Sequence, residues 1–364
     1  MDKTYSKNLE SFPAHGGDIY RHRVEMDFSV NTNPLGAPDS VVKALRQHSM
    51  DIVHYPDPVC QKLREDLASY EKVKADHIIC GNGAAELIYS LVQTIKPEKT
   101  LLVEPAFSEY ERALKAWGTS CHYYHCKRED GFKVKGDILN SITPDLGMVF
   151  LCNPGNPTGE VIERSLLIEI LNLAKAYFIP VLLDECFLDF LEDSSSYDML
   201  PFYQEYPNLF ILKAFTKIFA MPGLRLGYGI SCQEELLQNM EAGLPSWHVS
   251  LPAQLCGVEA LKDADKYLIE TKEYLKKEKK LMIDQLKTLG YEIYGSKANY
   301  IFFSGKNCQD LYQQALADQI LIRDCSNYPG LSKGDYRIAI KSREENRRLM
   351  KWLRSISEEG GASG

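Results

Sequence analysis

The stretch MVFLCNPGNPTG, residues 148–159, joins an apolar run to a polar loop that contains two prolines and two asparagines. The run Met148–Cys152 is short and continuous, as in a strand that is buried on both faces of a parallel sheet. Asn-Pro and Gly-Asn pairs form turns, so their density predicts a rigid loop at the end of this strand. A simple turn needs fewer such residues, and the loop is therefore a candidate for binding a ligand.

The same pattern of an apolar run followed by helical periodicity repeats between residues 51 and 250. Strands that alternate with helices predict an α/β protein with a doubly wound, mainly parallel sheet. Ligands of such sheets bind beyond the carboxyl ends of the strands, so polar residues at those ends are the candidate site residues. Further strands are predicted at Thr100–Val103, Val181–Asp184, Leu209–Leu212 and Leu226–Ile230, and helices at Ala84–Ile95, Ser108–Trp117 and Ser165–Tyr177.

The chain length and a change of pattern after Ser250 predict two domains of unequal size. Residues 50–250 would form the large domain, while residues 1–49 and 251–358 would form a smaller α+β domain built from both chain ends. In the small domain we predict a long charged helix from Ala264 to Leu289, and two strands near Tyr300 and Tyr336. We expect residues 359–364 to be a disordered tail.

Composition excludes several classes of protein. The 364 residues carry a net charge of -8, with 45% hydrophobic and 25% charged residues, as in ordinary globular chains. This acidity argues against a general nucleic-acid binder, although a local anion site needs only a few positive groups. The apolar runs are far shorter than the ~20 residues of a membrane span, and the polar N-terminus lacks the apolar segment of a secretory signal. We therefore expect a cytoplasmic protein without a nucleic-acid or membrane partner.

The ten cysteines are expected to be reduced thiols with no metal-binding role. The densest group is CHYYHC, residues 121–126, which has the pattern of a strand. Side chains alternate between the faces of a strand, so these two cysteines and two histidines cannot converge on one tetrahedral metal ion. The sequence therefore predicts no metal site.

Polar groups at the other strand ends suit a phosphorylated aldehyde. The loop GNGAAE, residues 81–86, opens a predicted helix whose first N–H groups can bind an anion. Asp184 ends a buried strand, where a carboxylate is costly unless it is paired. Lys217 follows the next strand, and a partly buried lysine can lose its proton and attack a carbonyl carbon. With Arg225, these groups meet the needs of pyridoxal phosphate: an anion site, a carboxylate for the ring nitrogen and a lysine for the aldehyde.

Five motifs follow one another along the chain: GNGAAE (81–86), NPGNPTG (153–159), LLDECF (182–187), KAFTK (213–217) and MPGLRLGY (221–228). In this order they resemble the fold-type I pyridoxal-phosphate enzymes of the aspartate aminotransferase family, over nearly the whole chain. Two groups within that family are similar to the sequence, the histidinol-phosphate aminotransferases and the threonine-phosphate decarboxylases of cobalamin synthesis. Three stretches favour the decarboxylases: AHGG (14–17), FSVNTNPLG (28–36) and ILIRDCSNYPGL (320–331).

The resemblance implies a role toward the cofactor for each matching residue. Lys217 would bond to the aldehyde carbon, Asp184 would pair with the ring nitrogen, and Asn156 would hydrogen-bond the ring oxygen O3′. These three are the expected catalytic residues. The remaining cofactor contacts would be Gly83, Ala84, Thr216 and Arg225 around the phosphate, Phe107 on the ring, and Tyr55, which would reach the phosphate of the neighbouring subunit's cofactor in a homodimer.

The resemblance also implies a small phosphorylated amino acid as the substrate. Arg337 matches the arginine that binds the α-carboxylate, and Arg323 would bind the phosphate. The expected reaction is decarboxylation of L-threonine O-3-phosphate to (R)-1-amino-2-propanol O-2-phosphate. The other residues expected to contact the substrate are His15, Gly16, Asn33 and Asn156.

Two residues depart from the family's pattern. Phe187 stands where the aminotransferases of this group usually carry a tyrosine, and loss of that hydroxyl is expected to weaken transamination. Ala214 stands where a serine or threonine often contacts the cofactor phosphate, so one such contact is missing or replaced. Three other functions stay open from the sequence: transamination of histidinol phosphate, decarboxylation of serine phosphate, and a non-catalytic binding role on this fold.

Overall fold

Strands and helices alternate along most of the chain, in the order that the apolar runs predict. The computed structural model describes residues 16–305 and 310–361. The predicted strands Met148–Cys152 and Val181–Asp184 have the same bounds in the structure. In chain order the elements are β1 (Met26–Asp27), α1 (Asp39–Gln47), α2 (Gln61–Glu71), β2 (Ile78–Gly81), α3 (Ala84–Ile95), β3 (Lys99–Glu104), α4 (Ser108–Ala116), β4 (Ser120–His125), β5 (Met148–Cys152), α5 (Arg164–Ala176), β6 (Val181–Asp184), β7 (Leu209–Ala214), α6 (Phe215–Ile218), β8 (Gly227–Ile230), α7 (Glu234–Gly243), α8 (Leu251–Lys262), α9 (Ala264–Thr288), β9 (Glu292–Tyr294), β10 (Tyr300–Ser304), α10 (Leu311–Ala317), β11 (Ile320–Leu321), β12 (Arg323–Asp324), β13 (Asp335–Ala339) and α11 (Arg343–Gly361).

A seven-stranded sheet in the order β2-β8-β7-β6-β5-β3-β4 organises the larger part of the molecule. All neighbouring strands are parallel except β8, which is antiparallel to both β2 and β7. The predicted doubly wound, mainly parallel sheet is therefore confirmed. Cys152, Asp184 and Leu212 lie side by side in register at the carboxyl ends of β5, β6 and β7. The polar loops that follow these strands consequently meet at one edge of the sheet.

Alternate side chains of the central strands enter two different hydrophobic cores. Val149, Leu151 and Leu183 belong to one core, whereas Phe150 and Leu182 belong to the other, and all five are fully buried. This division follows from the two-residue period of a strand. Helices must cover both faces, which explains why the strands are almost continuously apolar.

Smaller sheets form the remainder of the fold and bring the two ends of the described chain together. A four-stranded antiparallel sheet has the order β12-β13-β10-β9, and β1 pairs with β11 in parallel. The predicted domain boundaries stay a prediction. Helix α11 continues to Gly361, so the first residues of the expected tail 359–364 are helical, and residues 362–364 lie outside the described part.

The described residues contain neither a membrane-spanning helix nor a cluster of metal ligands. None of the helices within residues 16–305 and 310–361 is long and apolar enough to cross a membrane. In the same ranges, no three or more His, Cys, Asp or Glu residues are grouped so that they could hold a metal ion. The segment that carries the CHYYHC pattern forms the edge strand β4.

Candidate active site

The loop after β5 holds Asn156 at the carboxyl edge of the large sheet. Two hydrogen bonds fix the loop: the Ile162 N–H donates to Asn153 Oδ1 at 2.9 Å, and the Gly155 N–H donates to the Glu160 carbonyl at 2.7 Å. Asn156 Oδ1 accepts a hydrogen bond from Nη1 of Arg337. Asn156, which is expected to bind the cofactor, is thus hydrogen-bonded to Arg337, which is expected to bind the substrate.

Asp184 at the end of β6 is a buried carboxylate with two donors. The Tyr110 hydroxyl donates to Oδ2 at 2.5 Å, and the Cys186 N–H donates to Oδ1 at 2.9 Å. Burial raises the pKa of Asp184, while the hydrogen bonds from Cys186 and Tyr110 and the charge of Lys217 act in the opposite direction. Hydrogen bonds that satisfy a carboxylate favour its ionised form. The two donors therefore oppose the effect of burial and favour the ionised form of Asp184.

Lys217 lies on the short helix α6, directly after β7, and its side chain is half-buried. Burial lowers its pKa to about 8, and the positive charges of Arg337 and Arg225 act in the same direction. Its Nζ has no hydrogen-bond or ion-pair partner within residues 16–305 and 310–361. An amine with this pKa is partly neutral near pH 7, so Lys217 is suited to attack an aldehyde carbon.

The turn before α3 forms a candidate anion site, the anion cup, which consists of Gly83, Ala84 and Arg225. Gly83 precedes the helix with φ of 80°, a conformation that favours glycine. A Cβ on Gly83 would lie 2.4 Å from Arg225 Nη2, and a Cβ on Gly227 would lie 2.5 Å from the Ala84 nitrogen. The buried Thr216 sits on α6, beside the Lys217 position. The glycines therefore let Arg225 approach the first N–H groups of α3, where an anion is favoured.

Phe107 lies at the start of α4, where its ring makes an edge contact with Tyr110 at 5.7 Å between centroids. The turn that presents it is held by Glu104, whose Oε2 accepts a hydrogen bond from the Ala106 N–H at 2.7 Å. Burial raises the pKa of Glu104 to about 7. Tyr110 thus contacts two expected cofactor residues: its ring meets the Phe107 ring, and its hydroxyl donates to Asp184.

Arg323 and Arg337 are paired across the antiparallel strands β12 and β13. Both residues are buried, and both side chains are held by neutral acceptors. Arg323 Nη2 donates to Asn327 Oδ1 at 2.9 Å, and Arg337 Nη2 donates to the Ser29 carbonyl at 2.8 Å. Neither guanidinium forms an ion pair with a carboxylate of the described residues, and Arg337 Nε is buried without a partner among them. Two buried, uncompensated cations are suited to a ligand with two anionic groups.

Gly16 and Gly17 contact Ser29, whose carbonyl accepts a hydrogen bond from Arg337. A Cβ on Gly16 would lie 2.5 Å from the Ser29 carbonyl oxygen, and the Gly17 N–H donates to Ser29 Oγ at 2.7 Å. The Ser29 carbonyl is also the acceptor for Arg337. Gly16 is therefore adjacent to the expected carboxylate site, while His15 lies outside the described residues.

Both ends of the Asn33 side-chain amide form hydrogen bonds within the protein. Nδ2 donates to the Ile218 carbonyl at 2.9 Å and to Thr271 Oγ1 at 2.8 Å, and Oδ1 accepts from the Leu35 N–H at 3.0 Å. The Asn33 N–H donates to the Lys217 carbonyl at 3.0 Å. This geometry gives Asn33 a role in holding the segment that carries Lys217, and its expected contact with substrate stays a prediction.

Tyr55 is 78% exposed, and the structure of the single chain does not bring it to the other candidate residues. Its ring packs on Trp247 with 4.5 Å between centroids. Met50, Ile52 and Val53 are also largely exposed in the same segment. An apolar surface of this kind is typical of an interface with another chain.

The sequence did not predict Tyr110 and Tyr300, two residues that hold the expected site residues in place. Tyr110 holds Asp184, and its only sequence signal was its place one helical turn after Phe107. Tyr300 is buried, donates its hydroxyl to the Gly155 carbonyl at 2.7 Å, and has the Arg337 guanidinium 5.4 Å from its ring. The ring of Phe187, one of the two departures from the family pattern, meets Tyr300 edge-on at 5.2 Å.

The arrangement fits pyridoxal phosphate on grounds of its own chemistry. Lys217 offers an amine without a partner among the described residues, and Asp184 offers a buried carboxyl group with two hydrogen-bond donors. The space over Gly83, which a Cβ would fill, lies between a helix N-terminus and Arg225. These groups could bind the aldehyde, the ring nitrogen and the phosphate respectively.

Known proteins that are similar to this chain include threonine-phosphate decarboxylases and histidinol-phosphate aminotransferases. The threonine-phosphate decarboxylase of Salmonella typhimurium strain LT2 is 36% identical over 356 residues, which cover 94% of this chain and 96% of the relative. The structure of the histidinol-phosphate aminotransferase from Clostridium acetobutylicum has a TM-score of 0.85 at 31% identity and covers 92% of this chain and 99% of its own. The structure of the L-threonine-O-3-phosphate decarboxylase from Porphyromonas gingivalis has a TM-score of 0.78 at 23% identity and covers 91% and 99%.

The family described as aminotransferase class I and II matches residues 23–353, which is most of the chain. The predicted resemblance to threonine-phosphate decarboxylases, the fold-type I architecture and the dependence on pyridoxal phosphate are thereby confirmed. The chain belongs to the aminotransferase class I and II family.

Proposed function

We propose that the chain catalyses the decarboxylation of L-threonine O-3-phosphate to (R)-1-amino-2-propanol O-2-phosphate, a building block of the cobalamin nucleotide loop. The observation that carries this proposal is the pairing of Arg323 with Arg337. Each guanidinium is buried, and neither has a carboxylate partner among the described residues. A substrate with a carboxylate and a phosphate monoester supplies both missing anions.

Arg337 binds the substrate α-carboxylate and Arg323 binds the phosphate. The contact of Arg337 with Asn156 and with the Ser29 carbonyl directs its guanidinium toward the cofactor edge of the site. Gly16 lies against the Ser29 carbonyl that accepts a hydrogen bond from Arg337, which supports its proposed contact with the substrate together with His15. Asn33 acts as a positioning residue through its hydrogen bond to the Lys217 carbonyl.

Pyridoxal phosphate, when bound, withdraws the electron pair that remains at the substrate Cα after a bond to that carbon breaks. Asp184 would pair with the ring nitrogen, and Tyr110 and Cys186 favour its ionised form by donating to its oxygens. Phe107 would cover the ring, and Asn156 would hydrogen-bond the ring oxygen O3′. Gly83, Ala84, Thr216 and Arg225 would hold the cofactor phosphate.

The arginines select the bond that breaks. Arg337 would hold the substrate carboxylate so that the bond between Cα and the carboxylate carbon breaks and carbon dioxide leaves. Lys217 then delivers a proton to Cα, which balances the loss of the carboxylate. Its lowered pKa allows the amine to exchange protons near neutral pH.

A second copy of the chain completes each site in the proposed cytoplasmic homodimer. Tyr55 lies in an exposed apolar segment, and its ring packs on Trp247 rather than on the site of its own chain. In the dimer this segment is buried, and Tyr55 contacts the phosphate of the partner subunit's cofactor. Mixing of two inactive variants, Tyr55→Ala and Lys217→Ala, should restore part of the activity through sites formed from one copy of each.

The purified holoenzyme should release carbon dioxide from threonine phosphate. Glutamate formation from 2-oxoglutarate with histidinol phosphate as amino donor would overturn the proposal in favour of an aminotransferase. Serine phosphate lacks one methyl group, which is worth about 1–3 kcal/mol in a pocket, so a smaller kcat/KM is expected for it. The Lys217→Ala variant should lose both turnover and the visible absorbance of the lysine-bound cofactor. An inactive, colourless wild-type protein that cannot be reconstituted would indicate a non-catalytic binding role.

A further inference from the structure

The loop that follows β12 contacts Arg323 on two sides. Asn327 Oδ1 accepts a hydrogen bond from Nη2 at 2.9 Å, and the Tyr328 ring lies 5.0 Å from Cζ. Tyr328 is buried in a hydrophobic cluster with Phe132 and Phe302, so its ring provides a fixed surface. The guanidinium is thus held in place by a chain segment that lies only four and five residues further on.

Both contacts are neutral, and the carboxylate of the adjacent residue on β12 does not pair with Arg323. The adjacent Asp324 accepts a hydrogen bond from the Ser326 N–H at 2.8 Å and forms no ion pair with Arg323. An amide oxygen and an aromatic face can fix a guanidinium without cancelling its charge. Arg337 is supported in the same way, by Asn156 Oδ1 and by the face of Tyr300.

Most N–H groups of Arg323 are therefore free to donate hydrogen bonds to a ligand, as far as the described residues show. Its side chain makes no hydrogen bond other than that to Asn327 among the residues described. A guanidinium carries five N–H donors in a planar fork, so two parallel hydrogen bonds to one anion remain possible. A phosphate monoester dianion offers three acceptor oxygens and gains more from an uncompensated cation than a monoanion does.

We propose that Asn327 and Tyr328 are positioning residues that determine specificity for a phosphorylated substrate. This inference rests on the proposed function. They orient the Arg323 guanidinium for the phosphate without pairing its charge, and they do not contact the reacting carbon. Substrate binding through phosphate should therefore depend on them, whereas the chemical step should not.

The test compares variants of the holoenzyme at Asn327. In Asn327→Asp a carboxylate neutralises Arg323, and KM for threonine phosphate should rise by at least about tenfold while kcat changes by less than about twofold. Asn327→Ala should raise KM by about threefold to tenfold, because orientation is lost but the charge remains. The control Asn140→Asp adds the same charge to an exposed turn and should leave KM unchanged.

Position 328 provides a matched pair of substitutions. Tyr328→Phe retains the aromatic face and should behave like the wild type, while Tyr328→Leu should raise KM for threonine phosphate. Binding of L-threonine, which has the carboxylate but no phosphate, should be unaffected in every variant. An unchanged KM in Asn327→Asp, or an equal loss of L-threonine binding, would overturn the inference.

Calorimetry with inorganic phosphate distinguishes the failure of this inference from that of the proposed function. Wild-type holoenzyme should bind inorganic phosphate, and Asn327→Asp should bind it at least about tenfold more weakly. If threonine phosphate is not decarboxylated but this difference persists, the reaction is wrong and the assignment of Asn327 stands. If the wild type turns over threonine phosphate and both proteins bind phosphate equally, the assignment of Asn327 is wrong.

Discussion

Arg323 and Arg337 face each other in register on the antiparallel strands β12 and β13. Like charges at directly opposed positions destabilise a sheet, and here both side chains are also buried. The fold tolerates this arrangement with neutral acceptors on each guanidinium. The two guanidinium groups repel each other, and an anionic ligand would reduce this repulsion. We therefore expect anion binding to stabilise the folded protein.

Phosphate should therefore stabilise the wild-type protein and have much less effect on Arg323→Gln. A ligand at one hundred times its Kd stabilises the folded state by about 2.7 kcal/mol. Without phosphate, Arg323→Gln should melt at or above the wild-type Tm, because the repulsion from Arg337 is removed. Differential scanning fluorimetry in phosphate-free and phosphate-containing buffers measures both effects. Arg348→Gln, which breaks an exposed pair with Glu25, is the control and should retain the full response to phosphate.

Uptake of pyridoxal phosphate by the apoenzyme should depend on the ionisation of Lys217. Only the neutral amine attacks the aldehyde, so with a pKa of about 8 the rate should rise by about tenfold per pH unit below pH 8 and level off above it. Arg337 lowers this pKa through its charge, and Arg337→Gln should move the midpoint to higher pH. Stopped-flow absorbance between pH 6 and pH 10 follows the reaction. An identical midpoint in the variant would show that the charge of Arg337 does not tune the lysine.

Tyr110→Phe should weaken catalysis by raising the pKa of Asp184. Burial already raises this pKa, and the Tyr110 hydroxyl opposes that effect. Loss of a hydrogen bond to a charged group costs about 1.5–3 kcal/mol, which predicts a fall in kcat of about tenfold to a hundredfold. The acidic limb of the pH–kcat profile should also move to higher pH, since Asp184 would be protonated earlier as the pH falls.

The control for this substitution is Tyr123→Phe, which removes a hydroxyl of β4 that donates to Glu111 on α4 and not to Asp184. It should leave the pH–kcat profile unchanged. A Tyr110→Phe enzyme with lower kcat but an unshifted acidic limb would mean that the hydroxyl affects packing rather than the charge of Asp184.

Much of the fold and of the cofactor site could be predicted from the sequence because the signals are local. A buried parallel strand is an apolar run bounded by turn residues, so the sequence predicts Met148–Cys152 and Val181–Asp184 with the bounds that the structure has. Polar residues at carboxyl ends of parallel strands must share one edge, which placed Asp184 and Lys217 near one another.

The supporting contacts could not be predicted because they join distant parts of the chain. Asn33 hydrogen-bonds Ile218 and Thr271, residues that lie 185 and 238 positions away, and no local pattern distinguishes this role from substrate binding. The Tyr110 contact with Asp184 depends on how α4 packs over the end of β6. The opposed arginines depend on the register of β12 and β13, which their spacing in the sequence does not reveal.

Gly83→Ala should weaken cofactor binding well beyond its effect on stability. A Cβ at this position would lie 2.4 Å from Arg225 Nη2, so the guanidinium must leave the anion cup. The positive φ of 80° adds backbone strain of about 1–3 kcal/mol. Gly118→Ala is a close control, because its φ is 73° and nothing lies within 4 Å of the added Cβ. Both variants should lose thermal stability as apoenzymes, but only Gly83→Ala should show a rise of at least about tenfold in the Kd for pyridoxal phosphate. Fluorescence titration of the apoenzymes measures this Kd, and an equal rise in Gly118→Ala would assign the effect to strain rather than to displacement of Arg225.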